Sequence, residues 1–180
     1  MVQILELIGN KKLLHLLIFL ASHPSSEYSY TELRKKTNLA KATLSKWLSY
    51  LRKEHIIQEK AIGRNKLYQI DQCSAIIKQF KILITLASLD FFLPLSEKYS
   101  IRAYLYGSAA RGEEVESSDI DILIIGKVKK EEIISEIQKQ SSKLKKPIKI
   151  QIFTSLEWAN MAEKDKAFYE RMEKDKILLC

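Results

Sequence analysis

Asp119 and Asp121 stand two residues apart at the head of an apolar run, Asp119-Ile120-Asp121-Ile122-Leu123-Ile124-Ile125. Alternate residues of a strand share a face, so the two carboxylates project together. Placed side by side on an otherwise apolar strand they repel each other and lose hydration unless a positive charge joins them. A divalent cation is the natural counter-charge, and a pure oxygen donor set favours Mg²⁺ or Mn²⁺, which bind through one or two carboxylates together with nucleotide phosphates. Upstream, the strand-like run from Ser100 to Tyr106 leads into Gly107-Ser108-Ala109-Ala110-Arg111-Gly112. A glycine lets backbone N–H groups approach a ligand, and a helix start with a serine hydroxyl suits a phosphate.

Either motif alone is common. Their order is more specific: a strand, Gly-Ser, a ten-residue interval, then Asp-x-Asp on a second strand, in YGSAARGEEVESSDIDILII. This stretch resembles the minimal nucleotidyltransferases of the DNA polymerase β-like superfamily. The resemblance implies that Gly107 and Ser108 bind the triphosphate of an NTP, and that Asp119 and Asp121 are the catalytic carboxylates and the ligands of Mg²⁺ or Mn²⁺. It makes Arg111 a nucleotide-binding phosphate contact; a brace for the loop is the alternative. It also implies a third carboxylate on a later strand. That strand is Ile148-Lys149-Ile150-Gln151-Ile152-Phe153, and the matching position holds Gln151. An amide offers an oxygen without charge, which weakens the ion that would activate an acceptor hydroxyl and removes a general base. Glu157 follows closely, but Thr154-Ser155-Leu156-Glu157 reads as a helix capping box.

The elements that must carry this site occupy residues 98–180, an expected small α/β domain with a mixed sheet. Two segments precede it. In residues 1–72, apolar positions from Ile4 to Leu20 follow a helical period until Ser22-His23-Pro24 breaks it. A short helix starts at Tyr30 and ends near Thr37-Asn38. A third runs from Lys41 to Lys53, with Leu44, Leu48 and Leu51 forming a stripe that Trp47 widens. Ile56–Ile62 and Lys66–Ile70 read as strands of a hairpin with a tip at Gly63-Arg64-Asn65.

This order resembles a winged helix-turn-helix, most closely in LAKATLSKWLSYLRKEHIIQEKAIGRNKLYQI. Such a domain places its third helix in the major groove of double-stranded DNA and its wing on the backbone or minor groove. The likeness assigns Lys41, Thr43, Ser45 and Lys46 to DNA contact from the helix and Arg64 and Lys66 from the wing. Ala40 departs from the pattern, since a Ser or Thr cap is usual there. Residues 73–97 read as one long, apolar connecting helix, stopped near Pro94. The expected fold class is thus α+β: a winged helix-turn-helix domain, a connecting helix and a small nucleotidyltransferase domain. That order resembles two-domain fusions among archaeal predicted regulators.

Composition agrees with an ordered chain. Of 180 residues 46% are hydrophobic, and only 5 are Gly and 3 Pro, which excludes collagen-like and low-complexity classes. The net charge is +8. It is concentrated: residues 34–66 hold ten basic and two acidic side chains. A phosphate backbone would attract that segment; a solvated basic face would give the same count. Cys73 and Cys180 are too distant in sequence for a disulfide framework and lack metal-ligand neighbours, so they read as reduced thiols of a cytoplasmic protein. The longest apolar run, Leu13–Ala21, is too short to span a bilayer, so no membrane partner is expected.

Three functions remain open. The first is a DNA-binding transcriptional regulator, or antitoxin-like protein, whose C-terminal domain binds a nucleotide–Mg²⁺ complex with weak or lost transferase activity. The second is an active nucleotidyltransferase that moves NMP from NTP to a protein acceptor, as related stand-alone domains do to HEPN-type toxins. The third is an interaction module with both sites vestigial. A homodimer is compatible with each.

Overall fold

The computed structural model describes residues 9–180. The chain forms two compact units, Met1–Lys81 and Ile82–Cys180.

In the first unit, helix α1 (Lys11–Ser22) begins at Asn10, whose side chain accepts hydrogen bonds from the backbone N–H groups of Lys12 and Leu13. The expected start of this helix near Ile4 lies outside the described residues. After a two-residue strand β1 (Tyr28–Ser29), Ser29 and Glu32 form a capping box that starts α2 (Tyr30–Thr37). Asn38 ends α2 in the left-handed conformation, and α3 (Lys41–Lys53) follows at once. Ala40 gives α3 no side-chain cap, as its lack of a hydroxyl implies. Leu44, Trp47, Leu48 and Leu51 are all buried, so the stripe read from the sequence is the face on which α3 packs. Strands β2 (Ile57–Ile62) and β3 (Asn65–Ile70) pair antiparallel, with Ile62 opposite Asn65. The turn is therefore the dipeptide Gly63-Arg64. Gly63 has φ +58°, and a glycine at the first central position is what a tight hairpin of this length favours. β1 adds to the other edge of β3, giving a three-stranded sheet in the order β1-β3-β2. Helix α1, then α2 and α3 joined by a short turn, then a β-hairpin make this unit winged-helix-like.

The apolar stretch after Cys73 differs from the sequence expectation. It forms two helices, α4 (Ala75–Ser88) and α5 (Phe92–Tyr99). Pro94 lies in the first turn of α5 and does not stop a helix; there the missing N–H costs nothing, because first-turn N–H groups have no intrahelical partner.

The second unit is built on a mixed four-stranded sheet in the order β6-β5-β4-β7. Strand β4 (Arg102–Tyr106) runs antiparallel to β5 (Ile120–Ile125) and to β7 (Ile177–Leu178), whereas β5 and β6 (Ile148–Phe153) are parallel. A parallel pair needs a crossover. Helix α7 (Lys130–Leu144) provides it and packs Ile133 and Ile137 with Ile120, Ile122 and Ile124. Helices α8 (Ser155–Lys164) and α9 (Lys166–Asp175) cover the opposite face, where Trp158 and Met172 cluster with Leu123 and Ile125. β5 is thus buried on both faces, which explains its continuous apolar run. Asp121 is the polar exception within it. The molecule is mixed α+β with a mixed sheet, as the sequence indicated.

Candidate functional site

The four-residue helix α6 (Gly107–Ala110) leaves the end of β4 beside the start of β5. Tyr106 pairs with Asp121 across the two strands, so the chain turns into α6 next to the acidic pair. Gly107 has φ +73°, and a Cβ placed on it would stand 2.6 Å from Oδ2 of Asp121. Only a residue without a side chain fits there, in space as well as in backbone conformation. After α6 the backbone closes a tight turn: the N–H groups of Arg111 and Glu113 both donate to the Ser108 carbonyl oxygen, at 3.2 and 2.9 Å. Gly107, Ser108, Asp119 and Asp121 are therefore brought together, at one end of the central strand.

Arg111 points elsewhere. Its guanidinium donates to Glu113 at 2.9 Å and to Asp175 of α9 at 3.0 Å. Both carboxylates hold its pKa above the ordinary value, the Glu113 hydrogen bond contributing most. In this arrangement the side chain braces the loop after α6 against α9.

Two residues that sequence reasoning missed complete the surroundings. The first is Tyr106, whose hydroxyl pKa is pushed up to about 12, by burial first and then by the nearby Asp121 charge. The second is Lys149. The parallel register sets Asp121 opposite Lys149 and Leu123 opposite Gln151. Gln151 is exposed and lies two residues, roughly 7 Å, farther along β6. Lys149 forms an ion pair with Oδ2 of Asp119, and its charge also reaches Asp121. Neither position on β6 carries a carboxylate. The resemblance singled out Gln151; strand alternation puts Lys149 on the same face, and the register shows that Lys149 is the one that stands against Asp121.

Burial raises the pKa of Asp121 most; Lys149 opposes this and the Asp119 charge adds to it. Such a pair is suited to one divalent cation bound jointly with phosphate oxygens. The absence of a side chain at Gly107 lets its backbone lie directly against the Asp121 carboxylate. Among the described residues no group of three or more His, Cys, Asp or Glu side chains could hold a metal. The residues thus fit a single ion completed by a nucleotide, and do not form a self-sufficient metal cage.

Residues 91–178 match the family model of the Nucleotidyltransferase domain. That match covers β4, α6, β5 and β6, and so the Gly-Ser and Asp-x-Asp motifs together. No curated protein matches the chain. Among solved structures, NolR from Sinorhizobium fredii is 26% identical over 48% of this chain and 79% of its own, with a TM-score of 0.38. Reduced HlyU from Vibrio cholerae N16961 is 23% identical over 43% of this chain and 76% of its own, with a TM-score of 0.36. A Sulfolobus solfataricus chain described as a candidate nucleotidyltransferase is 27% identical over 58% of this chain and 84% of its own, with a TM-score of 0.30. These scores are too low to establish a shared fold.

The nucleotidyltransferase-fold unit also has a cavity of about 570 Å³, lined in part by Gly126, Lys127, Ile150, Ile152 and Thr154. It opens at the other end of β5 from the carboxylates. Glu157, on its rim, accepts hydrogen bonds from the backbone N–H and hydroxyl of Thr154, and these hold its pKa below the ordinary value. It is the expected helix cap and takes no part in the acidic pair.

In the winged-helix-like unit, Lys41, Ser45 and Lys46 are exposed on α3 and Thr43 is half-buried at the edge of its packing face. Lys41 opens the helix, where its carbonyl oxygen accepts a hydrogen bond from the Tyr30 hydroxyl at 2.8 Å. The Lys46 ammonium lies 4.5 Å from the centre of the Trp47 ring, which steadies a long side chain on the outer face. Arg64 is exposed at the hairpin turn. Lys66 is spoken for in part: it donates to Glu59 at 2.8 Å, and Arg52 reaches the same carboxylate at 3.2 Å. Within the described residues no helix is long and apolar enough to cross a membrane.

Proposed function

We propose that this protein is a DNA-binding transcriptional regulator, or an antitoxin-like protein, whose C-terminal unit binds an NTP with Mg²⁺ or Mn²⁺ and transfers nucleotide weakly or not at all. Asp119 and Asp121 would hold the ion, Gly107 and Ser108 would receive the triphosphate, and Arg111 would fix the loop that presents them. Lys41, Thr43, Ser45, Lys46, Arg64 and Lys66 would contact double-stranded DNA. A bound ion would draw charge from the phosphates and orient an attacking hydroxyl.

The observation that carries the nucleotide half is the approach of Gly107 to Asp121, which joins the two motifs in one place. The weak-transfer half is supported by Lys149 and Gln151, the two polar residues of β6 on the face of Asp121, neither of them a carboxylate. Without a third carboxylate no side chain is available there to take the proton of an acceptor hydroxyl. The test is incubation of the full chain with labelled ATP, Mg²⁺ and candidate acceptor proteins. Nucleotide binding that Asp119→Ala removes, with no label transferred, is the expected result. Appreciable transfer that the same substitution abolishes would overturn weak transfer and favour an active enzyme acting on a protein acceptor, such as a HEPN-type toxin. Absence of nucleotide binding would leave an interaction module.

A further inference from the structure

We propose that Lys149 is a built-in counter-cation of the Asp119–Asp121 pair and limits the site to one divalent ion. The inference rests on the nucleotide-binding reading above and deepens it: Lys149 would be the residue that sets this unit to hold a nucleotide rather than transfer it.

Three observations meet at this side chain. First, β5 and β6 are parallel and in a register that places Lys149 directly across from Asp121. Residues opposed in this way project to the same side of the sheet. Second, the ammonium pairs with Asp119 Oδ2, so one of the two carboxylates already has a cationic partner. Third, Asp119 is mostly sheltered, with 26% of its side chain exposed, whereas Lys149 is 66% exposed. The positive group comes from solvent to the acidic pair and can return to it.

In a two-metal transfer site the ions lie about 3.5–4 Å apart and share carboxylates, one of them serving the attacking oxygen. A third carboxylate on the adjacent strand would support that second ion. Here the adjacent strand supplies a positive charge, which repels a divalent ion at contact range and competes with it for Asp119. An ammonium donates hydrogen bonds but has no coordination position to offer an acceptor hydroxyl. Gln151 does not restore the lost charge, because it is neutral and stands opposite Leu123. The other carboxylate, Asp121, has no ion pair with Lys149 and lies against the Gly107 backbone, where the Gly-Ser motif would bring a phosphate to a single ion. Because the Lys149 side chain is largely solvated, it acts as a displaceable competitor with a modest effect on affinity.

The experiment is Mn²⁺ binding to the full chain, followed by the paramagnetic resonance signal of free Mn²⁺, with and without a non-hydrolysable ATP analogue. The proteins are wild type, Lys149→Met, Lys149→Asp and Asp121→Asn, each checked by circular dichroism. With the analogue present, wild type should bind about one ion. Lys149→Met, which keeps the length and removes the charge, should bind about three- to tenfold more tightly. Lys149→Asp should take up a second ion. The proposal is overturned if Lys149→Met stays within about twofold of wild type and Lys149→Asp still binds one ion, or if wild type already binds two. Lys149→Gln, also neutral, should repeat the Met result if Met perturbs the fold. Failure of the underlying reading looks different: Asp121→Asn would then bind Mn²⁺ as wild type does.

Discussion

Gly107 and Asp121 fit together so closely that a single added carbon on the glycine would lie 2.6 Å from a carboxylate oxygen. The two residues are fourteen positions apart in the chain. The antiparallel pairing of Tyr106 with Asp121 brings them into contact. The glycine belongs to the Gly-Ser motif and the aspartate to the Asp-x-Asp motif, so their contact joins the two motifs in one place.

Gly107→Ala should therefore damage fold and site together. The left-handed φ costs an L-residue about 1–2 kcal/mol, and the clash must push Asp121 aside. For a chain of this size that strain lowers the thermal midpoint by about 2–8 °C. Differential scanning fluorimetry should show this fall, and also the loss of any ATP–Mg²⁺-dependent rise. An unshifted midpoint with the ligand response intact would contradict the close approach.

Asp121→Asn should leave the midpoint unchanged or raise it. Burial disfavours the charged carboxylate, the Asp119 charge adds to that cost, and Lys149 offsets it only in part. A neutral amide of the same shape is relieved of both penalties. Thermal melts near pH 7 check the direction, and a clear fall in the midpoint would mean that the charge is net stabilising.

Arg111 should behave as a brace. Arg111→Ala and Asp175→Ala each remove the 3.0 Å contact between the loop and α9. Measured nucleotide affinities should then fall by similar small factors, and the double variant should be no worse than the poorer single one. A much larger effect of Arg111→Ala alone would identify a direct phosphate contact.

DNA binding should depend on Lys41 and Lys46. If both meet phosphates, Lys41→Ala with Lys46→Ala weakens duplex binding across sequences and lowers the log–log salt slope by about two. Titrations at several salt concentrations measure this. Affinity that is insensitive to salt would remove the regulator reading, whatever happens at the nucleotide site.

Acid should loosen both units through specific carboxylates. Glu32 is held below the ordinary value by the Ser29 backbone N–H, and Glu157 by the Thr154 backbone N–H. Glu59 is held down chiefly by its hydrogen bond from Lys66. A depressed folded-state pKa adds stability that is complete above the unfolded value, about 4.3 for glutamate, and disappears as pH falls through the folded value. Midpoints should accordingly decline below about pH 4, and less steeply in Glu32→Gln with Glu157→Gln. Equal declines in both proteins would exclude the caps as the cause.

Much of this was legible in the sequence because it depends on neighbours a few residues apart. The Leu44, Leu48 and Leu51 stripe, the Thr154 cap, the Gly63 turn and the pairing of Asp119 with Asp121 on one face are local consequences of helical or strand period and turn chemistry. Strand β1 and strand β7, two residues each, could not be read, since nothing local distinguishes so short a strand from a loop; each exists only through its partner, β3 or β4. Pro94 was placed correctly in the chain but not in its helix, because a proline can end one helix or begin the next.

The acidic pair and its Gly-Ser partner were thus set by sequence alone. The identity of the residue facing them was not. Lys149 and Gln151 have the same parity on one strand, and periodicity treats them alike; only the register of β6 against β5, fixed by how α7 crosses over and packs its isoleucines, decides that an ammonium and not an amide stands beside Asp121.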